Sequence, residues 1–260
     1  MIKACIFDLG GTIVDRYSLT SSLSLKKLFS NRGLSVNNQL IQKNIGMNKE
    51  DHILTIMNQR FVADQWLQRY NDYPDEFDMR ILFNEFNEIQ CEHSDKMIDI
   101  LPETKDCISY LRFNYIKTGC TTSFNKENME IIKDKLERNN IELDSYVSST
   151  CLNKQSRPHP DMIQKNMDNL GITYPNQVMK IDDTVVGIEE GKNAGCITVG
   201  VARWSINMNI NNINDAYYLG IHEIQDQLKE SRKVLKGSGA DYVIDTLDEL
   251  PRIIEDINYL

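Results

Sequence analysis

Short apolar runs alternate with longer amphipathic segments along most of the chain. The short runs have the length and composition of buried strands, whereas the longer segments repeat apolar residues at helical spacing. This alternation predicts βαβ units and a mostly parallel sheet, and therefore an α/β fold. The predicted strands cover residues 3–7, 115–120, 145–148, 178–181, 196–201 and 242–245.

Residues 16–100 interrupt this alternation, because they contain no convincing strand. Apolar residues recur there on single helix faces, which is the pattern of amphipathic helices packed on a core. One such face carries Leu25, Leu28 and Phe29, and another carries Phe77, Ile81, Leu82, Phe86 and Ile89. The pattern predicts an all-helical insert directly after the first strand.

Composition and charge narrow the class of protein. The chain has 260 residues, 41% of them hydrophobic, and a formal net charge of -9. This charge argues against general nucleic-acid binding but permits a local site for a small anion. The six cysteines form no CxxC pair, which is typical of reduced thiols in a cytoplasmic protein. No signal peptide or membrane-spanning run is apparent, so we expect a cytoplasmic protein that does not bind membranes.

Asp8 is the first candidate for chemistry. It follows the apolar run Ala4 to Phe7, and Gly10 and Gly11 allow a sharp turn beside it. The position just beyond the carboxyl end of a strand is where open α/β sheets bind ligands. Taken alone, this motif favours an aspartate that only closes a turn before a helix.

Four more polar residues follow predicted strands: Thr121, Arg157, Asp182 and Asp183. A hydroxyl, a guanidinium fork and two adjacent acids suit a phosphate group and a hard cation such as Mg²⁺. Each also has an ordinary structural interpretation: a helix cap, a surface arginine and an acidic turn without metal. Their order along the chain, each after its own strand, favours a phosphate site.

This pattern resembles the haloacid dehalogenase superfamily, in which a strand-end aspartate is the nucleophile of phosphoryl transfer. The resemblance implies a Rossmann-like core at residues 1–15 and 101–260, a helical cap at 16–100, and Mg²⁺ as cofactor. By resemblance Asp8 is the nucleophile, Thr121 the hydroxyl of the second motif, Arg157 the cation of the third and Asp183 the main metal ligand of the fourth. It further implies substrate contacts from Gly11, Thr12 and Thr122 and metal contacts from Asp8, Gly10 and Asp182.

Gly10 stands where most phosphatases of the superfamily carry a second aspartate that protonates the leaving group. The insert instead contains IGMNKEDH, with Lys49 and His52 on one helix face. This segment resembles the cap of phosphonoacetaldehyde hydrolases, also called phosphonatases, in which the lysine forms a Schiff base with the substrate aldehyde. The resemblance implies hydrolysis of a small phosphonate to acetaldehyde and phosphate, with His52 as a proton relay. An exposed helix lysine and a histidine that pairs with Asp51 are the structural alternatives.

Several positions depart from the phosphonatase pattern: Ser18, Ile45, Phe124 and Gly187. Gly187 lacks the later acid of the fourth motif, so Asp182, Glu189 and Glu190 are candidates to replace it. Two other functions stay open. One is a magnesium-dependent phosphatase or phosphotransferase, and the other is a non-catalytic descendant that acts as a binding module.

The resemblance also implies a homodimer that associates through cap helices. Trp66, Leu67 and Tyr70 are candidates for an apolar interface stripe. The core of the cap is the alternative use of such spacing.

Overall fold

The fold is built on one sheet of six parallel strands, seen in a computed structural model that describes residues 1–152 and 157–259. The strands are β1 Ala4–Phe7, β2 Lys117–Thr122, β3 Ser145–Ser148, β4 Val178–Asp182, β5 Ile197–Val201 and β6 Tyr242–Ile244. Their order in the sheet is β3-β2-β1-β4-β5-β6. The α/β class and all six predicted strands are confirmed, with ends that shift by one or two residues.

Twelve α-helices accompany the strands in the described ranges. They are α1 Leu19–Asn31, α2 Asn38–Gln42, α3 Lys49–Met57, α4 Arg60–Tyr70, α5 Glu76–Met97, α6 Thr104–Phe113, α7 Lys126–Arg138, α8 Asp161–Leu170, α9 Val185–Asn193, α10 Ile213–Tyr218, α11 Ile221–Gly237 and α12 Leu250–Tyr259. Within those ranges, none of the helices combines the length and the apolar character that crossing a bilayer requires.

The central strand β1 is buried on both faces, which is why its four residues form a continuous apolar run. Cys5 and Phe7 belong to a core cluster that includes residues of α6, α7 and α12. Ala4 and Ile6 belong to a second cluster with residues of α8. Since successive side chains of a strand point to opposite faces, helices cover both sides of the sheet. The sheet is therefore the middle of three layers, and the carboxyl end of β1 lies between those of β2 and β4 at one edge of the sheet.

Helices α1 to α5 fill residues 16–100 without a strand and surround an apolar cluster of their own. Leu82 and Phe86 of α5 are buried there, as predicted, whereas Phe77 is 62% exposed. Phe77 lies in the first turn of α5, beyond the reach of this cluster. This packing supports the predicted division into cap and core, whose boundaries stay a prediction.

Trp66 is buried in the same cap cluster, with its ring centroid 4.3 Å from that of Tyr70. Trp66 thus belongs to the core of the cap, the stated alternative to an interface stripe, and is not available to an interface. Tyr70 is 42% exposed and remains accessible. The homodimer through the cap stays a prediction that light scattering in solution would test.

Two neighbouring segments connect the cap to the sheet. Asp15 N donates to Asp99 O over 2.9 Å, and Leu101 N donates to Ile13 O over 3.0 Å. The side chains of Arg16 and Asp99 form an ion pair at 3.1 Å between the same segments. Both connections thus run side by side and are joined by backbone and side-chain contacts.

The close contact between α9 and the sheet depends on Gly191. A Cβ atom at this position would lie 2.7 Å from Thr198 Cγ2 and 2.8 Å from Lys180 Cβ, both in the fully buried layer. We expect Gly191→Ala to lower the free energy of unfolding by about 1–3 kcal/mol, because the well-packed neighbours must move. Urea unfolding followed by circular dichroism measures this loss.

Gly237→Ala is the matched control. Gly237 ends α11, and no atom lies within 4 Å of the Cβ that the substitution adds. We expect this variant to gain about 0.4–1 kcal/mol, because alanine restricts the unfolded chain. Equal stability of Gly191→Ala and the wild type would contradict the packing argument.

Candidate active site

The order of the strands brings the predicted site residues to one edge of the sheet. Asp8 directly follows β1, and its backbone N–H donates to Ile181 O over 2.8 Å. Thr121 and Thr122 end β2, and Asp182 ends β4. Because β1 lies between β2 and β4, the carboxyl ends of these strands converge at the point where the strand order reverses.

Three carboxylates form a candidate metal centre. One oxygen each from Asp8, Asp182 and Asp183 lies within 4.8 Å of the others, and all three residues are buried. Asp183 Oδ1 has no hydrogen-bond partner in the part of the chain that the structure describes. Buried acids at this spacing repel each other unless a cation or a proton intervenes. The donor set of carboxylate oxygens, with one oxygen left unpartnered, fits a hard divalent cation.

The pKa values at this centre reflect the same crowding. Burial, followed by the charges of Asp182 and Asp8, raises the pKa of Asp183 well above its ordinary value. Burial also raises the pKa of Asp8 to about 6, although the Arg157 charge opposes this shift.

The role of Gly10 as a metal ligand is not tested by any contact and stays a prediction.

Arg157 is buried beside Asp8. Its Nη2 atom lies 2.8 Å from Asp8 Oδ1, and its Nε atom donates to Glu190 Oε2 over 2.8 Å. Nη2 also donates to the carbonyl oxygen of Thr121 over 2.9 Å. These contacts hold the guanidinium in one orientation, next to the carboxylate that would attack phosphorus.

The expected role of Thr121 needs a correction. Its hydroxyl oxygen accepts from Arg157 Nη2 over 2.7 Å and from Lys180 Nζ over 2.8 Å, and both of these groups can only donate. The nearest acceptor for its own proton is Glu190 Oε2, at 3.3 Å. Thr121 therefore positions the two cations and does not donate to a bound phosphate.

Thr122 takes the place that the sequence suggested for Thr121. It lines the same small cavity as Asp8 and Lys49. Its oxygen accepts from Phe124 N over 3.2 Å, which leaves the hydroxyl proton for a ligand. Among the described residues, Thr122 is the hydroxyl at the end of β2 that faces this cavity.

Gly11 and Thr12 were expected to contact the substrate, but neither lines this cavity. Gly11 has a φ of 73°, and a Cβ atom there would overlap the Asp183 carboxylate. The glycine is thus needed for the close approach of the turn to Asp183. Thr12 is fully buried beneath the turn.

Sequence reasoning missed Lys180, which is fully buried in β4. Its Nζ donates to Asp182 Oδ2 over 2.8 Å and lies 3.6 Å from Glu190 Oε2. A lysine inside the apolar run of a central strand was the available signal, since an unpaired charge there would be costly. Of the acids proposed to replace a side chain at position 187, Glu190 contacts Arg157, and Glu189 makes no recorded contact with the site.

Lys49 reaches the site from the cap. It begins α3 after Asn48, whose side chain accepts from Glu50 N, and it is buried. Its Nζ has no hydrogen-bond partner among the described residues. Burial lowers the pKa of Lys49 to about 8, with Arg157 adding to the shift and Asp8 opposing it. The alternative of an exposed helix lysine is thereby excluded.

His52 is fully buried on the same helix, one turn after Lys49. Burial, followed by the Lys49 charge, lowers the pKa of His52 to about 3. The ring is therefore neutral across the physiological range and does not line the cavity. This differs from the expected relay, in which a histidine titrating near neutrality exchanges protons at the site.

Asp15 was also missed. It lines the cavity, and a Cβ atom at Gly10 would lie 3.6 Å from Asp15 Oδ2 and from Ser18 Oγ. Burial raises the pKa of Asp15 to about 7, although hydrogen bonds from the backbone and side chain of Thr20 oppose the shift. Gly10 has no side chain, and the carboxyl group close to it is that of Asp15, in the segment that leads from β1 into the cap.

The cavity at the site has a volume of only about 20 Å³, room for about one water molecule. Three of the departing positions, Ser18, Ile45 and Phe124, lie on its wall. A larger cavity of about 450 Å³ lies behind Asp15, against α1 and α10, but contains none of the other candidate catalytic residues. A substrate therefore reaches Asp8 only when the cap moves.

Comparisons with known proteins agree with this geometry. The model of the haloacid dehalogenase-like hydrolase family matches residues 5–201. The chain is 33% identical to a phosphonoacetaldehyde hydrolase of Paraburkholderia phytofirmans, over 98% of this chain and 95% of that protein. It is 29% identical to the phosphonoacetaldehyde hydrolase of Bacillus cytotoxicus, over 98% of this chain and 96% of that protein.

A solved structure extends the likeness to the fold. The phosphonoacetaldehyde hydrolase like protein of Oleispira antarctica superposes with a TM-score of 0.93 and 28% identity, over 99% of this chain and 93% of that chain. Sequence and structure thus agree over nearly the whole length. The chain belongs to the haloacid dehalogenase-like hydrolase family, and it is an enzyme similar to the phosphonoacetaldehyde hydrolases.

Proposed function

We propose that the protein hydrolyses the C–P bond of phosphonoacetaldehyde to acetaldehyde and phosphate, through an imine at Lys49 and a phosphorylated Asp8. The observation that carries this proposal is the buried Lys49 amine, which has no partner in the described residues and lines the cavity of the nucleophile. An amine that is buried without an ion-pair partner has a depressed pKa, as a nucleophile toward an aldehyde requires.

Lys49 supplies the electron sink. With a pKa of about 8, about a tenth of the amine is neutral at pH 7, against less than about a thousandth at the ordinary value. The neutral amine adds to the aldehyde carbon, and loss of water gives an iminium. When the C–P bond breaks, its electron pair enters the iminium and forms an enamine. Protonation and hydrolysis of the enamine release acetaldehyde and regenerate Lys49.

Asp8 attacks phosphorus opposite the leaving carbon, and Arg157 and Thr122 contact the phosphoryl oxygens. Water then hydrolyses the acyl phosphate. Because the electron pair leaves into the enamine, the leaving carbon needs no acid at the moment of cleavage, which agrees with Gly10. Asp8, Asp182 and Asp183 would hold Mg²⁺, which would neutralise charge on the carboxylates and on the phosphonate oxygens.

A magnesium-dependent ester phosphatase is the second candidate, and Asp15 is the observation that favours it. Its carboxyl group lies near position 10 and, with a pKa of about 7, is partly protonated at neutral pH. However, Thr20 N and Oγ1 both donate to Asp15 Oδ1, at 3.1 and 2.9 Å, which holds the group toward α1. Release of acetaldehyde from phosphonoacetaldehyde, compared with phosphate release from simple esters, distinguishes the two activities. A non-catalytic module would release neither product.

Borohydride trapping tests the imine directly. Sodium borohydride added with phosphonoacetaldehyde should inactivate the enzyme and leave a stable secondary amine on the peptide that contains Lys49. Lys49→Arg should abolish labelling and turnover, because a guanidinium keeps its charge and cannot form the imine. Mass spectrometry of the digested protein locates the label.

Lys43→Arg is the matched control, since Lys43 is an exposed lysine of the same cap. This variant should retain both labelling and activity. Labelling at another lysine, or full turnover by Lys49→Arg, would contradict the Schiff-base mechanism.

The depressed pKa of Lys49 predicts the pH dependence of kcat/KM. The reactive form is the neutral amine, so activity should rise with pH and level off above about 8. Initial rates between pH 5 and 9.5, in buffers of constant ionic strength, measure the profile. A rate that is flat from pH 6.5 to 9 would show that the Lys49 amine does not limit the reaction.

Substitutions at Gly10 test why this position carries no acid. A Cβ atom fits there, with its nearest neighbours 3.6 Å away, so Gly10→Ala should fold and retain most activity. Gly10→Asp adds a second carboxylate beside Asp15 and should raise the pKa of Lys49, which moves the pH profile toward alkaline values and lowers the rate at pH 7. Equal rates for the two variants at pH 7 would show that charge at position 10 is unimportant.

A further inference from the structure

Gly187 lies in the first turn of α9, directly against the side chain of Asp182. A Cβ atom added at Gly187 would overlap Cγ and both carboxylate oxygens of Asp182. No rotation of a side chain at position 187 removes this overlap, because Cβ is fixed by the backbone. The Asp182 carboxylate thus occupies the space into which a side chain at 187 would project.

Three hydrogen-bond donors and one ion-pair contact hold the Asp182 carboxylate in this space. Oδ1 accepts from Thr184 N over 2.9 Å and from Thr184 Oγ1 over 2.7 Å, and Thr184 is the N-cap residue of α9. Oδ2 accepts from Lys180 Nζ over 2.8 Å and lies 3.5 Å from Arg157 Nη2. Asp182 and its partners Thr184, Lys180 and Arg157 are all buried, so charged and neutral groups together fix the carboxylate.

The same carboxylate belongs to the candidate metal centre with Asp8 and Asp183. The neighbouring Asp183 Oδ1 is buried and unpartnered among the described residues, so a ligand for this oxygen is missing from the protein itself. Asp182 therefore contacts two groups of side chains: the acids Asp8 and Asp183 of the candidate metal centre, and the basic side chains of Lys180 and Arg157.

We propose that Asp182 and Gly187 are a matched pair. Asp182, at the end of β4, supplies one of the three carboxylates of the magnesium centre, and its side chain occupies the space that glycine at position 187 of α9 leaves free. The proposal rests on the metal-binding part of the proposed function. Either position can provide this carboxylate: an aspartate at position 187, with no side chain at position 182, would place a carboxylate in the same volume. Asp182 in its present position requires glycine at position 187.

Five variants test this pairing: Asp182→Gly, Gly187→Ala, the double variants Asp182→Gly/Gly187→Ala and Asp182→Gly/Gly187→Asp, and Glu189→Gln as control. The control removes a neighbouring acid of α9 that makes no recorded contact with the site. Affinity of each full-length, metal-free protein for Mg²⁺ is measured by calorimetry, and for Mn²⁺ by electron paramagnetic resonance, so neither readout depends on turnover. Circular dichroism verifies folding.

We expect Asp182→Gly to weaken Mg²⁺ binding by about tenfold or more, as loss of a ligand or its support does in other metal sites. Gly187→Ala should also weaken binding, because the added methyl group displaces the carboxylate. In the Asp182→Gly background, Gly187→Ala should cause no further loss, which is the non-additivity expected for contacting residues. The double variant Asp182→Gly/Gly187→Asp should bind Mg²⁺ within a few-fold of wild type, and Glu189→Gln should bind as wild type does.

Three results would overturn the pairing: wild-type affinity in Gly187→Ala, an Asp182→Gly/Gly187→Asp variant that binds no better than Asp182→Gly, or an Asp182→Gly/Gly187→Asp variant that does not fold. In each case wild-type binding of Mg²⁺ would leave the proposed function intact. Failure of the wild-type protein itself to bind either ion would contradict the metal part of the proposed function, and this proposal with it. Imine trapping at Lys49 is then the readout that judges the remaining chemistry separately.

Discussion

The site depends on the balance of buried charge beneath the ends of the central strands. Four buried carboxyl groups meet two buried side-chain cations there: Asp8, Asp182, Asp183 and Glu190, with Arg157 and Lys180. When all are ionised, two negative charges remain in excess, which is the charge that a divalent cation supplies. Without one, protonation must relieve the excess, and the raised pKa of Asp183 reflects this. The proposed phosphate chemistry at Asp8 depends on this site holding one more cation.

The cap completes this site by bringing in an amine whose charge is poorly solvated there. Lys49 is buried with the cap closed, and Asn48 fixes the start of its helix. The two segments that connect the cap to the sheet run side by side. The first of them contains three residues with positive φ: Asp15, Tyr17 and Ser18. Ser18 Oγ also donates to Asp183 Oδ2 over 3.4 Å, so the first segment contacts the candidate metal centre itself. This hydrogen bond thus links the segment that leads into the cap with the candidate metal centre.

The sequence predicted the six strands and the helical insert because their periodicities are local properties of the chain. It could not choose between Thr121 and Thr122, since the choice depends on which face of β2 meets the cavity. In the structure, β2 pairs with β1 from Lys117, opposite Ala4, to Cys120, opposite Phe7, and Thr121 and Thr122 follow. The sequence did not single out Lys180 and could not choose between Glu189 and Glu190, because these roles depend on contacts between β4, α9 and Arg157. Propensity and motif spacing do not reach such contacts, and burial decided the state of His52 in the same way.

Lys49 shows how opposing effects set the reactivity of one amine. Burial lowers its pKa and Arg157 adds to this, whereas Asp8 and Asp15 favour the ammonium form. The net shift from 10.5 to about 8 corresponds to roughly 3 kcal/mol, so burial prevails over the two carboxylates but not by a wide margin. A further carboxylate close to the amine would reverse much of that shift. Glycine at position 10 is thus consistent with a site whose central requirement is a neutral lysine, and an acid at that position would work against it.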